Sequence, residues 1–384
     1  MIPSITFRAR FSRACMGVLL QSLFLAPAAL AQFPQPLNSP EVSADRHVTF
    51  RFRDPNAKVV KLALEGSQPV DMQKDAEGLW TVTIGPLEPD YYGYSFVADG
   101  VGLMDPSDPM MKPNLLMSTS QVYVPGPSTL PWQRNDVPHG IVHHHFYQSQ
   151  VVGDARDFYV YTPPDYDPRG SKLYPVLYLL HGYSDGASAW TVIGRANEIF
   201  DNLIAEGKMK PMVVVMPLGY GAPEILHPSS GTFHNPALIQ RNMDRFREAL
   251  FQEVMPAVEK TYRVYTDRNS RAIAGLSMGG AESLYTGLNA LDRFAWVGGF
   301  SSGGLGSDYD KIFPGLDSKA NAQLHLLWLS CGKDDRLLDP NMKFRDWLQS
   351  KGVKVDWVET PGVHQWQVWR RNLANFAPLL FQSN

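Results

Sequence analysis

Arg271-Ala272-Ile273-Ala274-Gly275-Leu276-Ser277-Met278-Gly279-Gly280 decides how this chain is read. An apolar run of strand length is followed at once by Gly-x-Ser-x-Gly, and then by a helical stretch from Met278 to Leu288. Strand, sharp turn and helix in that order are what a Gly-x-Ser-x-Gly elbow requires. Glycines two positions before and two after the serine let the backbone turn without steric conflict. The hydroxyl then stands at the carboxyl edge of a sheet, beside the unpaired N–H groups of a helix start. A bare Gly-x-Ser-x-Gly is common; the preceding strand and the extra Gly280 give this one its weight.

A serine hydroxyl is a poor nucleophile until a base takes its proton and a third group orients that base. Behind such an elbow the partners follow in the order serine, acid, histidine, each on a loop after a later strand. Two histidines lie downstream, His325 and His364. His325 sits inside the apolar run Leu324 to Leu329 and reads as an edge histidine. His364 lies in Pro361-Gly362-Val363-His364-Gln365-Trp366, just after the strand-like Val353 to Thr360, and is the expected base. For the acid, the strand Leu326 to Ser330 runs into Cys331-Gly332-Lys333-Asp334-Asp335, and the pattern leaves both carboxylates open. Acyl chemistry also needs donors aimed at the oxygen that becomes negative, and the backbone N–H of Met278, the residue after the nucleophile, supplies one.

Around this core the apolar runs Val176 to Leu180, Met212 to Met216, Trp296 to Phe300 and Leu326 to Leu329 alternate with helical stretches Ala196 to Glu206, Ile239 to Tyr262 and Met278 to Leu288. Such alternation predicts a mostly parallel sheet covered by helices, an α/β fold, over residues 138–384. Upstream, Val48 to Phe52, Val59 to Leu64, Leu79 to Ile84 and Tyr91 to Val97 are separated by turn residues with no helical pattern between them. They predict a small all-β sandwich over 32–125. Pro125-Gly126-Pro127-Ser128, Pro131 and Pro138 cannot hold a regular ladder and place a linker at 126–137.

Residues 1–31 carry Arg8, Arg10 and Arg13, then the apolar run Met16 to Leu25, then Ala29-Leu30-Ala31, the order of a signal peptide. Export to the periplasm or the medium follows as an expectation. Cleavage near Ala31 would discard Cys15 and make the formal charge of −3 more negative by three, which argues against nucleic acid as a partner. No later stretch is long and apolar enough to hold the mature chain in a membrane. Cys331 would be the single remaining thiol, so no internal disulfide is expected. His139 and His143-His144-His145 lack the usual ligand spacing and read as a surface cluster, so no metal is expected. No nucleotide motif accompanies a helix start, and no cofactor is expected.

Beyond these readings, Tyr174-Pro175-Val176-Leu177-Tyr178-Leu179-Leu180-His181-Gly182, Gly194-Arg195-Ala196, Lys210 to Pro217 and Arg271 to Gly280 resemble the putative-esterase family. The resemblance runs from about Pro138 to Leu380 and implies an α/β-hydrolase fold. The family includes feruloyl and acetylxylan esterases of carbohydrate esterase family one, with esterase D and enterochelin esterase as relatives. Its Gly-x-x-Asp turn falls on Asp335, leaving Asp334 as a solvated neighbour or helix cap. Its Gly-x-His-x-Trp turn falls on His364 and Trp366, and its second oxyanion donor falls on the N–H of Tyr183. The sandwich, through Gly78-Leu79-Trp80, Tyr92-Gly93-Tyr94 and Asp105-Pro106, resembles an immunoglobulin-like E-set domain of the carbohydrate-binding-module kind, expected to contact glycan or to play a structural part. The resemblance implies an exported serine carboxylesterase acting on esterified plant polysaccharide or oligosaccharide, feruloyl arabinoxylan first, acetylxylan as the alternative. An acyltransferase and an inactive carbohydrate-binding protein are the remaining readings. Trp190 and Trp366 are expected to line a slot for an aryl acyl group, with Trp369, Phe233 and His234 as further candidates.

Overall fold

The apolar runs assemble into one eight-stranded sheet in the computed structural model, which describes residues 37–227, 231 and 235–382. The signal peptide expected at 1–31, together with Phe233 and His234, lies outside the described residues. The strands are β1 (Ile141–Gln148), β2 (Ala155–Thr162), β3 (Val176–Leu180), β4 (Val213–Pro217), β5 (Arg271–Leu276), β6 (Trp296–Phe300), β7 (Leu326–Gly332) and β8 (Asp356–Thr360). Their order is β1-β2-β4-β3-β5-β6-β7-β8. From β4 to β8 neighbours run parallel, while β2 pairs antiparallel with both β1 and β4. Every residue of β3, β4, β5 and β6 is buried, as a sheet covered on both faces demands.

The hairpin of β1 and β2 escapes a reading based on apolar runs, because β1 is an edge strand without a buried residue and carries three of the histidines. Helices α1 (Ala196–Ala205), α2 (Pro236–Ala249), α3 (Ser277–Leu288), α4 (Leu338–Ser350) and α5 (Trp366–Phe376) flank the sheet. The single helix expected over Ile239 to Tyr262 is divided. After α2 comes a π-helical turn, Leu250–Val254, and then a short helix, Met255–Thr261. Pro256 lacks an N–H and its ring crowds the carbonyl four residues back, so the hydrogen-bond ladder widens one turn ahead of it. One face of the sheet packs Trp190, Phe200, Trp328 and Phe376, the other Tyr178, Phe246, Phe294 and Phe344.

The N-terminal part is a β-sandwich. One sheet orders Glu41–Val42, Val48–Arg53, Leu79–Ile84 and Gln73–Lys74. The other orders Val70–Asp71, Val60–Leu64, Asp90–Ala98, Thr119–Val124 and Met111–Lys112, with Val101–Leu103 also paired to Asp90–Ala98. Phe50, Phe52, Leu62, Trp80, Tyr94 and Phe96 fill the space between them. Residues 126–137 hold no helix or strand, yet Trp132 within them is buried, and Asn202 on α1 donates to the carbonyls of Pro131 and Gln133, each at 2.7 Å. The described residues from Leu37 onward form one compact unit.

Charge is buried where sandwich and hydrolase sheet meet. Asp90 pairs with Arg370 of α5, both side chains wholly inaccessible, and Arg371 reaches the same carboxylate at 3.0 Å. Arg370 also donates to the Ile193 carbonyl at 2.9 Å and lies over the ring of Tyr91. Removing one member of such a pair strands the other in a low dielectric, at a cost of about 3–5 kcal/mol. Urea unfolding of Asp90→Ala should show a loss of that order; a loss below about 1 kcal/mol would mean that the guanidinium finds solvent instead.

Candidate active site

Ser277 stands where β5 becomes α3, and its backbone takes a left-handed φ of 50°. A side chain in that region is strained, by about 1–3 kcal/mol. The flanking glycines make the turn possible by letting backbones touch. A Cβ on Gly279 would collide with the His181 carbonyl oxygen behind β3, and one on Gly275 would meet the Gly279 carbonyl oxygen at 2.5 Å. The Ser277 carbonyl accepts from Gly303 N–H at 2.9 Å, so the loop after β6 holds the elbow from the other side.

His364 lies on the turn between β8 and α5, where Gly362 adopts a φ of 120°. Its Nε2 is 2.9 Å from Ser277 Oγ, and its Nδ1 is 2.8 Å from Asp335 Oδ2. Asp335 also accepts the Leu337 N–H at 2.8 Å, and its side chain is fully buried. Burial pushes its pKa up, but the hydrogen bond and charge of His364 and the Leu337 N–H outweigh this and hold it below the ordinary aspartate value. An ionised Asp335 takes the hydrogen on Nδ1, which leaves the Nε2 lone pair free to accept the serine proton. Asp334, the other open choice for the acid, is exposed and turned away. Its N–H donates to the Gly362 carbonyl at 3.1 Å, and that bond ties the aspartate turn to the histidine turn.

Tyr183 and Met278 flank Ser277 in the wall of a cavity of about 570 Å³. Met278 is the second residue of α3, so its N–H is one of the first-turn donors with no carbonyl four residues back. The peptide unit that carries the Tyr183 N–H is anchored through its carbonyl, Gly182 O, which accepts from His181 Nδ1 at 2.8 Å and Tyr220 Oη at 3.4 Å. Burial lowers the pKa of His181 to about 4, so the ring is neutral. Nδ1–H donates while Nε2 accepts the Gly219 N–H at 2.9 Å.

Ile225, Ile239, Met243, Leu337 and Trp369 give the cavity its apolar wall. Trp369 meets the His364 ring edge-on, with centroids 4.8 Å apart. Trp190 and Trp366, expected to touch substrate, do not line the cavity. They are 0% and 2% exposed, pack edge-to-face on each other in the core, and Trp190 Nε1 donates to the Leu180 carbonyl at 2.9 Å. This corrects the assignment: closeness in sequence to Gly182 and His364 places them behind the wall, and Trp369, one helical turn beyond Gln365, turns inward instead. Sequence reading also missed Asp185, Asn242, Arg336 and the residues from α2, which reach the cavity only through the tertiary fold.

Four other histidines are engaged elsewhere. His139 pairs with Asp201 at 2.9 Å, His144 with Asp157 at 2.7 Å, His145 with the Tyr262 hydroxyl at 2.5 Å, and His325 with Asn269 at 3.0 Å. Among the described residues no group of three His, Cys, Asp or Glu side chains is placed to hold a metal ion.

Comparison with known proteins gives the family and the fold. The sequence model of the family described as Putative esterase matches residues 149–380. An endo-1,4-beta-xylanase/feruloyl esterase of Xylanibacter ruminicola is 30% identical over 361 residues, which are 91% of this chain and 47% of that protein. The chain therefore spans about half the length of this curated relative. A ferulic acid esterase of Anaeromyces mucronatus superposes with a TM-score of 0.58 at 25% identity, over 67% of this chain and 96% of its own. The enterobactin esterase of Shigella flexneri, at 20% identity, shares the fold with a TM-score of 0.63 over 86% of this chain and 92% of its own.

Asp185 generates a pH dependence of stability. Burial, partly offset by the Lys112 charge and the Asn114 hydrogen bond, pushes its pKa from the ordinary 3.8 to about 7. The folded state binds this proton more tightly than the unfolded one, so stability falls as pH rises through the window from 3.8 to about 7 and levels off above it. Asp185→Asn should remove that slope. Its urea midpoint should gain on wild type across the window, and a constant difference at all pH values would contradict the buried, protonated carboxyl.

Proposed function

The chain belongs to the putative-esterase family of carboxylic-ester hydrolases, and from that premise we propose that it releases feruloyl groups from plant cell-wall polysaccharide, arabinoxylan first, through an acyl-Ser277 intermediate. The observation that carries this reading is the chain Ser277 Oγ, His364, Asp335, with links of 2.9 and 2.8 Å, at the wall of an apolar cavity. His364 Nε2 takes the hydroxyl proton as Ser277 Oγ bonds to the ester carbonyl carbon. The oxygen that becomes negative is met by the N–H groups of Met278 and Tyr183. Collapse breaks the bond to the alcohol oxygen, which leaves with the proton from His364. A water molecule then repeats the sequence on the acyl-serine, with His364 as its base, and frees the acid. Asp335 keeps its charge throughout and stabilises the imidazolium.

The acyl assignment rests on size and surface. A feruloyl group is flat and aromatic, and a cavity of about 570 Å³ walled by Trp369, Ile225, Ile239 and Met243 suits it. An acetyl group needs only a small recess. The relatives named for feruloyl and ferulic acid ester cleavage support the same choice. The order of charged, apolar and small residues at the N-terminus supports export of the mature chain, where such polysaccharide is met.

Replacing Ser277 or His364 by alanine should lower kcat by about 10⁴- to 10⁶-fold. Asp335→Asn should cost less but still heavily, and Asp334→Ala should be close to wild type; the reverse order of the two aspartates would reassign the acid. For acyl choice, Met243→Trp puts a larger side chain into the cavity wall from α2. It should lower kcat/KM on methyl ferulate by about 10- to 100-fold more than on an alkyl acetate. Efficient release of acetate from xylan by wild type, with negligible cleavage of methyl ferulate, would move the assignment to acetylxylan.

A further inference from the structure

His364 is followed two residues later by the first residue of α5, and that helix begins without help from its own sequence. Gln365 occupies the N-cap position and makes no side-chain cap hydrogen bond. The acceptor comes instead from the sandwich: Glu65 Oε1 lies 3.3 Å from the Trp366 N–H. Glu65 is nearly buried. It is held by Lys112 Nζ at 2.8 Å on one oxygen and by the Gly93 N–H at 2.9 Å on the other. Burial pushes its pKa up, but the charge and hydrogen bond of Lys112 and the two N–H groups outweigh this and keep it below the ordinary glutamate value. A carboxylate is therefore fixed at the positive end of α5, where it both satisfies an orphan donor and meets the helix dipole.

The fit around this contact is close. A Cβ on the neighbouring Gly66 would collide with Gln365 Oε1, so the turn of the sandwich lies directly against the residue after His364. Further along α5, Gln367 Nε2 donates to the Tyr91 carbonyl at 2.8 Å, and Arg370 pairs with Asp90. The same part of the sandwich also grips the other side of the site. Asn114, two residues beyond the Glu65 partner Lys112, donates to Ser184 Oγ at 2.8 Å and to Asp185 Oδ1 at 3.3 Å. Leu115 N–H donates to the Ser184 carbonyl at 2.7 Å. Ser184 carries a left-handed φ of 67° immediately after Tyr183.

We propose that Glu65 is a positioning residue of the active site, which caps α5 from the sandwich and thereby sets where the His364 imidazole stands relative to Ser277. The sandwich is then a working part of the ester-cleaving centre, whether or not it also touches glycan. This rests on the esterase reading above. An imidazole that hangs on a turn moves with the helix that follows it, and misplacement of a reacting group by about 1 Å costs about 100-fold in rate.

The test uses the full chain and methyl ferulate, a small ester on which glycan contact by the sandwich cannot register. Glu65→Ala should lose about 10- to 100-fold in kcat with KM changed by less than about twofold. Glu65→Gln keeps an acceptor for Trp366 N–H and loses the charge; it should fall between, about 3- to 10-fold down, and decides alone if Glu65→Ala does not fold. Arg51→Ala removes an ion pair with Glu41 inside the sandwich. It should lower thermal stability and leave kcat within about twofold, as a merely structural role of the sandwich would not. Labelling of Ser277 by a serine-reactive phosphonate, which does not depend on the acyl group, should slow by the same factors in the Glu65 variants. Wild-type turnover tests the feruloyl reading, and the variant-to-wild-type ratios of labelling test this proposal. Wild-type labelling and turnover rates in Glu65→Gln, or an equal loss in Arg51→Ala, would overturn it.

Discussion

A serine held at a left-handed φ of 50° between a buried strand and a buried helix is the constraint on which the rest of this structure depends. The strain persists only because the surroundings over-determine it. β5 is central in the sheet, paired to β3 and β6 along its length, and α3 is buried from Met278 to Leu288. Neither can shift to relieve the turn. Non-glycine residues with left-handed backbones also follow β3 and β6, at Ser184 with φ 67° and Ser301 with φ 47°. The carboxyl edge of the sheet therefore carries three such strained positions, and it is where the serine, aspartate and histidine meet.

Convergence at that edge follows from parallel strands. Each βα loop leaves the same end of the sheet, so residues 58 and 87 positions away from Ser277 in sequence reach it side by side. Glycine makes the last approach possible: a side chain on Gly332 would collide with the Gly362 carbonyl oxygen, and the turns bearing Asp335 and His364 could not touch. Behind them, buried polar groups set orientation. Neutral His181 fixes the Gly182 carbonyl and so aims the Tyr183 N–H, and Asn242 donates to the buried Glu282 at 2.7 Å on α3. Burial pushes the Glu282 pKa well up, which disfavours a negative charge in this buried network.

The seam between sandwich and hydrolase is unusual for the charge it buries. Asp90 with Arg370 is removed from water, and such a pair seldom adds stability over apolar packing. Its geometric demand is what it adds. A buried pair must meet at one distance and one angle, so the two parts dock in a single register, and Glu65, held within the sandwich by Lys112, meets the start of α5 in that register.

Much of this architecture was legible in the residues. Period and composition determined the alternation of buried strands and helices, the sandwich ahead of them, and the elbow at Ser277, because burial on two faces, burial on one face and a tight glycine turn each leave a local pattern. His364 was legible by elimination. The choice between Asp334 and Asp335 was not, since adjacent side chains on a turn differ only in direction, and resemblance alone favoured the second. Only the tertiary structure decided that direction, placed Trp190 and Trp366 in the core, brought Ile239 and Met243 to the cavity, and set Glu65, 299 positions before His364, at the start of α5. The physical reason is common to all four. Which way a side chain faces, and what lies opposite it, are properties of packed surfaces, and a sequence pattern records the period of burial without recording the partner.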